Sequence, residues 1–524
     1  MKEGRHSVVI VGGGPVGLCL ALELDHHGVP VTIIEPRTVV DHTRPRAKTT
    51  SARTMEHLRR WGIAAELRAA APLSPSWSQR VTFVRTVLGD EITHLDDCLG
   101  LSLPPQLGPE PSQQVAQGVV EEVLRASVAE RSGIRALYGS TVTEVVQNDS
   151  HAVVTVVSET GHEQRLEASW VVGADGARSV VRRAMVVEYE GAAGGRPNVN
   201  ITFRSTELAK RIEHPASIHY WVLDPEWPGV VGPLDHQGTW WAISTGTESV
   251  SDHDEARRIV HGLIGEEVDV EIIATDPWQA RMLLASDYRD GRLFVVGDAA
   301  HQNPPWGGHG FNTGVGDAVN LGWKLAAVIN GWAPEPLLDS YAAERRPVEA
   351  QTIGLAQSNM SAVSIDLSRE LAADTQAPVS AETIERIREA KSPEFYANGL
   401  IFGYGYTPDA ALQTPTLADY EPITAPGNRL PHELLGGESL FDLLGREFTI
   451  IGPAAAAAAL IEAASAQRIP LTHVKREGQL VLVRPDQHIA WVGASVENAE
   501  QTLASALQGF LEASSYLPNN RLVV

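Results

Sequence analysis

The stretch Val8-Val-Ile-Val-Gly-Gly-Gly-Pro-Val-Gly17 runs from four apolar residues directly into a glycine-rich turn. Residues 18–24 continue with apolar side chains at helical spacing, and Val31-Thr-Ile-Ile-Glu35 is a second apolar run that ends on a carboxylate. This order predicts a strand, a tight turn, a helix and a second strand. We therefore expect an α/β fold that begins with a parallel sheet covered by helices.

The turn has the spacing Gly12-x-Gly14-x-x-Gly17, with Pro15 inside it. The first glycine permits the sharp turn, the second lets backbone N–H groups approach a pyrophosphate, and the third allows close packing of helix on sheet. Glu35 would then accept a hydrogen bond from a ribose hydroxyl. A glycine-rich turn without a ligand is the alternative, and this unit by itself does not separate FAD from NAD.

The composition limits the classes of protein to which the chain can belong. Its 524 residues suffice for two or three domains, and a formal charge of -23 disfavours nucleic acid and anionic membranes as partners. No apolar run approaches the roughly 18 residues that a membrane helix needs. Because the start is polar, we expect no export signal. Cys19 and Cys98 match neither a disulfide framework nor a metal site, so we expect a cytoplasmic protein.

The rest of the chain alternates between α/β and all-β patterns. The aromatic, strand-like runs of residues 186–281 predict a separate sheet, and the proline- and threonine-rich residues 408–429 predict a linker. The tail returns to an α/β pattern. Helices are expected at 51–61, 117–130 and 313–330, and strands at 141–157, 163–172 and 293–296.

Further glycine-containing motifs follow the predicted strands. They are Gly173-Ala-Asp-Gly-Ala-Arg-Ser179, Gly297-Asp-Ala-Ala-His301 continuing through Pro304-Pro-Trp-Gly-Gly-His-Gly-Phe-Asn-Thr313, and Gly316-Asp-Ala-Val-Asn-Leu-Gly-Trp-Lys-Leu325. Together with the N-terminal turn, and in the same order, they resemble the signature motifs of class A FAD-dependent aromatic monooxygenases. This family includes para-hydroxybenzoate hydroxylase and phenol 2-monooxygenase. The resemblance covers about residues 7–350.

The resemblance implies a Rossmann-like FAD-binding domain of the para-hydroxybenzoate hydroxylase type, a β-sheet substrate domain and a C-terminal thioredoxin-like domain. We assign residues 1–75, 105–185 and 282–400 to the FAD-binding domain, 76–104 and 186–281 to the substrate domain, and 408–524 to the third. The third domain contains no cysteine, which excludes thiol redox chemistry there.

The same resemblance implies FAD as the bound cofactor and suggests its contacts. Asp298, at the carboxyl end of a strand, would accept hydrogen bonds from the ribityl hydroxyls. Gly308 and Gly310 let the backbone pass close to a planar ring system, and N–H groups near Asn312 would stabilise negative charge on the flavin. The other cofactor residues implied by the motifs are Gly12, Gly14, Pro15, Gly17, Glu35, Arg46, Gln117, Asp175, Pro305 and Phe311.

Residues that contact the substrate carry a weaker signal. Strand alternation places His219 and Trp221 on one face and Tyr220 on the other. His301 and His309 flank the flavin loop and are candidates for proton transfer. Core packing is the alternative role for each aromatic residue. The candidate catalytic residues are Pro305, which the resemblance places near the reactive side of the flavin, His219, Trp221 and His309.

The function implied by the resemblance is hydroxylation of a phenolic or related aromatic substrate by O2 through a flavin C4a-hydroperoxide. No second nucleotide-binding motif follows, so NAD(P)H, with NADPH favoured, would bind transiently. The alternative is a Baeyer–Villiger or epoxidising monooxygenase acting on a polycyclic aromatic polyketide. An FAD-bearing regulatory protein would require a damaged flavin loop, and here the loop is intact. A homo-oligomer is expected only by analogy.

Overall fold

The structure is a computed structural model that describes residues 6–362, 378–407 and 417–511. The strands are β1 (His6–Val11), β2 (Val31–Glu35), β3 (Thr49–Thr50), β4 (Val81–Val84), β5 (Glu91–Leu95), β6 (Gln113–Gln114), β7 (Ile134–Tyr138), β8 (Ser140–Gln147), β9 (Ala152–Ser158), β10 (Glu163–Gly173), β11 (Tyr189–Arg204), β12 (His219–Val222), β13 (Gly229–Pro233), β14 (Thr239–Thr245), β15 (Glu271–Ala285), β16 (Arg289–Asp290), β17 (Leu293–Val295), β18 (His301–Gln302), β19 (Leu434–Leu435), β20 (Glu438–Ser439), β21 (Phe448–Gly452), β22 (Leu471–Lys475), β23 (Leu480–Val483) and β24 (Ile489–Gly493).

The α-helices are α1 (Pro15–His26), α2 (Ala52–Arg60), α3 (Ala64–Ala70), α4 (Gln117–Ala129), α5 (Val180–Ala184), α6 (Leu208–Arg211), α7 (His253–Ile264), α8 (His309–Ile329), α9 (Ser340–Ser361), α10 (Ala381–Phe395), α11 (Asn398–Phe402), α12 (Ala454–Ala466) and α13 (Ala499–Ala506). Within the described ranges, no helix is both long and apolar enough to cross a membrane. Residues 408–416 of the predicted linker and residues 512–524 of the predicted third domain lie outside the described ranges.

The first sheet has the strand order β16-β17-β10-β1-β2-β7, with β8 and β9 extending it beside β10. Strands β1, β2, β7, β10 and β17 pair in parallel. β1 and β2 are apolar and buried along almost their whole length, as expected for strands covered on both faces. The helices α1 and α8 pack against each other on this sheet. The predicted Rossmann-like architecture is confirmed.

One predicted helix boundary is wrong. The glycines around Gly308 suggested a loop up to Thr313, but α8 begins at His309. Gly308 has φ +68 and is the residue immediately before the helix. A glycine adopts this left-handed conformation without strain, so the chain turns sharply into the helix four residues earlier than predicted.

The second sheet has the order β18-β15-β11-β14-β13-β12-β4-β5. Alternation along its strands separates two faces. Tyr220 and Trp240 lie in an apolar core with helix α7, whereas Trp221 packs on the other face. Helix α10 falls within residues 282–400, which we assigned to the FAD-binding domain, but its residues Ile387 and Phe395 pack against this second sheet.

The C-terminal unit is a four-stranded sheet of order β22-β21-β23-β24 with α12 and α13 packed together. β21 is parallel to β22 and antiparallel to β23, which is the thioredoxin-like arrangement. A buried cluster of charges joins this unit to the first domain. Both guanidinium Nη atoms of Arg484 lie 2.8 Å from Glu344 carboxylate oxygens, and Lys324 Nζ lies 2.7 Å from Glu344 Oε2. The C-terminal unit is therefore docked by ion pairs as well as by apolar contacts.

Candidate cofactor and substrate site

A cavity of about 950 Å³ lies between the two larger sheets. This volume is at the upper end of the roughly 300–1,000 Å³ typical of small-molecule sites. One part is lined by the N-terminal glycine turn and the ends of the strands β2 and β10, and the other by the second sheet and helix α10. The cavity therefore connects the predicted cofactor site with the predicted substrate face.

The glycines of the N-terminal turn have surroundings that suit the separate tasks that their spacing predicts. Gly12 has φ +106, and a Cβ there would lie 2.4 Å from the carbonyl oxygen of Ala174. A Cβ on Gly17 would lie 2.1 Å from the Gly12 carbonyl oxygen, so Gly17 permits close packing and does not itself line the cavity. Gly14 lines the cavity, and a Cβ there would meet nothing within 4 Å.

We expect Gly14→Ala to lower FAD affinity while leaving the fold unchanged. The added methyl would occupy open space that the pyrophosphate is expected to approach. Overpacking of this kind costs about 1–3 kcal/mol, which is roughly a five- to hundredfold loss of affinity. The measurement is an FAD titration of the apoprotein, with thermal unfolding of the same sample. Gly354→Ala is the matched control, because a Cβ on Gly354 also meets nothing within 4 Å and that residue lies outside the cavity. Equal FAD affinity in the two variants would contradict the assignment.

Glu35 ends β2 as a buried side chain that lines the cavity. Its Oε2 accepts a hydrogen bond from the backbone N–H of Gly13 at 2.7 Å, and its Oε1 accepts from Arg37 Nε at 2.7 Å. These bonds fix the carboxylate beside the glycine turn and leave other lone pairs free. Contact with a ribose hydroxyl stays a prediction that this geometry allows.

Two aspartates at strand ends face the same cavity. Asp298 follows β17, and its side chain makes no hydrogen bond or ion pair with any described residue. Asp298 lines the cavity and its side chain is exposed in this structure. Desolvation by the surrounding protein atoms still raises the pKa of its carboxyl, while His301 and Arg46 oppose that rise. Asp175 Oδ2 accepts from Val180 N at 2.7 Å, but its Oδ1 is buried without a partner. Unpaired buried carboxylate oxygens are costly unless a ligand donates to them.

Of the other predicted cofactor residues, most lie on the cavity wall. Those on the wall are Gly12, Gly14, Pro15, Arg46, Gln117, Pro305, Gly308, Gly310 and Phe311. Asn312 does not line it: its Oδ1 accepts hydrogen bonds from Ser51 N and Thr54 Oγ1, both at 2.8 Å. It holds the start of α8 against α2. The first N–H groups of α8 have no partner within the helix and are available at the end of the flavin loop.

The second sheet supplies aromatic residues to the substrate part of the cavity. His219 and Trp221 line it from β12, as strand alternation predicts, and Trp241 lines it from β14. The His219 and Trp241 rings meet edge to face at a centroid distance of 5.2 Å. Burial and the charges of Lys48 and Lys391 lower the pKa of His219 to about 3, so it is neutral at pH 7.

His309 and His301 lie outside the wall of the main cavity. His309 lines a small adjoining pocket of about 20 Å³, and burial lowers its pKa to about 4. His301 is buried between Asp317 and Glu349, and these carboxylates raise its pKa to about 9 against the effect of burial. Arg345 forms ion pairs with both Asp317 and Glu349, and its positive charge balances these carboxylates. We therefore assign no metal to the cluster of His301, Asp317 and Glu349. A catalytic role for His309 stays a prediction.

The cavity side chains that were not singled out from the sequence include Lys48, Glu394 and Phe395. Lys48 lies two residues after Arg46 and immediately before strand β3. A single lysine at such a position is typical of a solvent-exposed surface. Glu394 and Phe395 end helix α10, far along the chain from the motifs. Only a resemblance that extended to α10 could have indicated them.

The residues present fit FAD. The glycine turn leaves open space beside Gly14, Glu35 is oriented for a ribose, and the unpaired Asp298 carboxylate faces the middle of the cavity. The beginning of α8 offers unpaired N–H groups beyond it. These features suit the ribose, the pyrophosphate, the ribityl chain and the ring of FAD.

Known proteins support the same conclusion. Residues 5–356 match the FAD binding domain family, and residues 423–514 match the family described as aromatic-ring hydroxylase, C-terminal. A 4-methyl-5-nitrocatechol 5-monooxygenase from Burkholderia sp. is 31% identical, over 96% of this chain and 97% of that protein.

Solved structures give the same result in three dimensions. The flavin-dependent monooxygenase PieE, in complex with FAD and substrate, superposes with a TM-score of 0.88 at 28% identity, over 97% of this chain and 100% of that chain. Aklavinone-11 hydroxylase with FAD and aklavinone gives a TM-score of 0.82 at 25% identity, over 98% and 100%. The chain therefore belongs to the FAD-dependent aromatic-ring hydroxylase family of flavin monooxygenases.

Proposed function

We propose that this protein is an FAD- and NAD(P)H-dependent monooxygenase that hydroxylates a phenolic or related aromatic substrate. One observation carries the proposal: a single cavity joins an FAD-binding glycine turn to an aromatic sheet face. A flat ring bound against Trp221 and Trp241 would lie in the same enclosed space as the residues that hold the flavin. The names of the relatives, which act on nitrocatechol or aklavinone, support an aromatic substrate.

Bound FAD supplies electron transfer from NAD(P)H and activation of O2. The chain's residues bind and orient the reactants. Pro305 and Phe311 line the cavity beside the N-terminus of α8, whose N–H groups favour negative charge at that end of the cofactor. Trp221, Trp241 and Phe395 give the substrate part of the cavity apolar surface, which favours the exclusion of water from the reaction.

The electron donor is expected to meet arginines at the solvent side of the cavity. Arg37, Arg44 and Arg178 line the cavity and are exposed. Positive side chains suit the phosphates of a nicotinamide dinucleotide, and a 2′-phosphate adds an interaction that NADH lacks. We therefore favour NADPH, and comparison of kcat/KM for NADPH and NADH tests this choice.

The test of the function begins with the visible spectrum of the purified protein. NADPH oxidation is then measured with and without a panel of phenols and polycyclic quinols, and the products are identified by mass spectrometry and NMR. A new aryl hydroxyl group supports the proposal. A lactone or an epoxide would replace it with the Baeyer–Villiger or epoxidising alternative, and absence of flavin after reconstitution would overturn both.

Two further properties remain proposals. We propose a cytoplasmic location, supported by two buried free cysteines and no disulfide among the described residues. We also propose a homo-oligomer by analogy, to be tested by light scattering coupled to size-exclusion chromatography.

A further inference from the structure

Lys48 is a cation without an anionic partner. It lines the cavity immediately before β3, and its side chain makes no ion pair or hydrogen bond with any residue that the structure describes. Its Nζ lies 4.0 Å from the ring centroid of Trp241, a residue of the second sheet. Burial lowers the pKa of the Lys48 ammonium to about 8, which leaves it mainly charged at pH 7.

Lys391, a second lysine that contacts a tryptophan of the second sheet, differs from Lys48 because it has a counter-ion. Lys391 Nζ lies 3.5 Å from the ring centroid of Trp221, and it is also 2.6 Å from Glu394 Oε2. Lys391 therefore carries its own counter-ion on helix α10, whereas Lys48 has only an aromatic ring. A buried charge without a partner is costly, and the cost falls when a ligand brings the opposite charge. Lys48 is only half-buried and lines the cavity, so an anionic ligand there could reach it.

In the site that we assign, the FAD pyrophosphate lies at the glycine turn with Arg46, so the anion that pairs with Lys48 is a different one. Lys48 instead lies over Trp241, on the face that we assign to the substrate. The other titratable groups near the substrate part of the cavity are His219, which is neutral at pH 7, and the ion pair of Lys391 and Glu394. None of them supplies a negative charge free to neutralise Lys48.

We propose that Lys48 binds the ionised hydroxyl of the aromatic substrate, so that the enzyme selects hydroxyarenes acidic enough to bind as the phenolate, such as hydroxyquinones. This inference rests on the proposed function. The phenol releases its proton to solvent, and the ammonium of Lys48 holds the resulting oxygen anion. An ionised hydroxyl donates electron density to the ring, which is the state that an electrophilic oxygen attacks. Lys48 thereby determines which aromatic compounds become substrates.

The test uses the FAD-loaded protein and alizarin (1,2-dihydroxyanthraquinone), whose visible absorption shifts to the red when it ionises. An opposite charge within about 4–6 Å lowers the pKa of an acid by about 1–3 units. Bound alizarin is therefore expected to ionise about 1–3 pH units below free alizarin in the wild-type protein, with at least about tenfold tighter binding of the anion than of the neutral form. Lys48→Met should abolish the shift, and Lys48→Arg should retain it. Unhydroxylated 9,10-anthraquinone should bind wild type and Lys48→Met equally.

Lys475→Met is the matched control, because it removes one positive charge from an exposed position of β22. FAD occupancy of every variant is measured first from its visible absorbance. An unchanged alizarin shift in Lys48→Met, or no binding of ionised alizarin to the wild-type protein, would overturn the inference while leaving the flavin-dependent function intact. A tenfold loss of FAD affinity in Lys48→Met would assign Lys48 to the cofactor instead. Failure of the wild-type protein to bind FAD would overturn the proposed function itself.

Discussion

Asp298→Ala is expected to lower the affinity for FAD by about ten- to a hundredfold. Asp298 faces the cavity with no hydrogen-bond partner for its side chain among the described residues, so the ligand would be its partner. Hydrogen bonds to a charged group contribute about 1.5–3 kcal/mol, which corresponds to this loss. The dissociation constant is measured by titration of the apoprotein with FAD.

The apoprotein provides the second half of this test. Because the Asp298 side chain is exposed and pairs with no described residue, its removal should leave the melting temperature of the apoprotein nearly unchanged. Asp298→Asn keeps one acceptor oxygen and should lose less affinity than Asp298→Ala. An alanine variant that is fully flavinated and active would contradict the site assigned here.

Glu344→Gln is expected to cause a large loss of stability, about 3–5 kcal/mol. Glu344 is fully buried and accepts hydrogen bonds from Arg484, Lys324 and Asn320. Glutamine keeps the shape but leaves the buried Lys324 without its counter-ion and Arg484 with Asp486 alone, and breaking a buried pair in this way carries a penalty of that size. The measurement is the shift in apparent melting temperature of the apoprotein, with limited proteolysis to locate the loosened unit.

Glu335→Gln is the matched control for Glu344→Gln, because Glu335 pairs with Arg289 at a half-exposed position. Surface pairs contribute at most about 1 kcal/mol, so this variant should unfold nearly as the wild type does. Similar losses in the two variants would show that the Glu344 cluster does not dock the C-terminal unit.

The same cluster predicts an acid limit of stability. Burial alone would raise the pKa of Glu344, but Arg484 and Lys324 lower it to about 2. The ordinary pKa of glutamate is about 4.3. Because the folded-state pKa is the lower of the two, this carboxylate stabilises the fold above pH 4.3, and the contribution is lost as the pH falls towards 2. Glu344→Gln should therefore be less sensitive than wild type over that interval.

Some residues of the candidate site could be predicted from the sequence because each belongs to a short motif whose geometry depends only on neighbouring residues. Gly12 and Gly14 are fixed by the turn between a strand and a helix, and Asp298 by the end of another strand. The alternation of His219 and Trp221 follows from strand geometry alone. The predicted start of α8 was wrong because glycines favour loops in isolation, whereas Gly308 here immediately precedes the helix.

The sequence by itself determined the nucleotide-binding fold, the order of its motifs and the family resemblance, because these depend on residues that are close along the chain. Only the tertiary structure decided which side chains meet in the cavity. The approach of Lys48 to Trp241, the presence of Glu394 in the same cavity wall and the pairing of Arg484 with Glu344, 140 residues apart, arise from packing between separate sheets and helices. No local pattern encodes such contacts, since a lysine in a loop looks the same whether it faces solvent or a substrate.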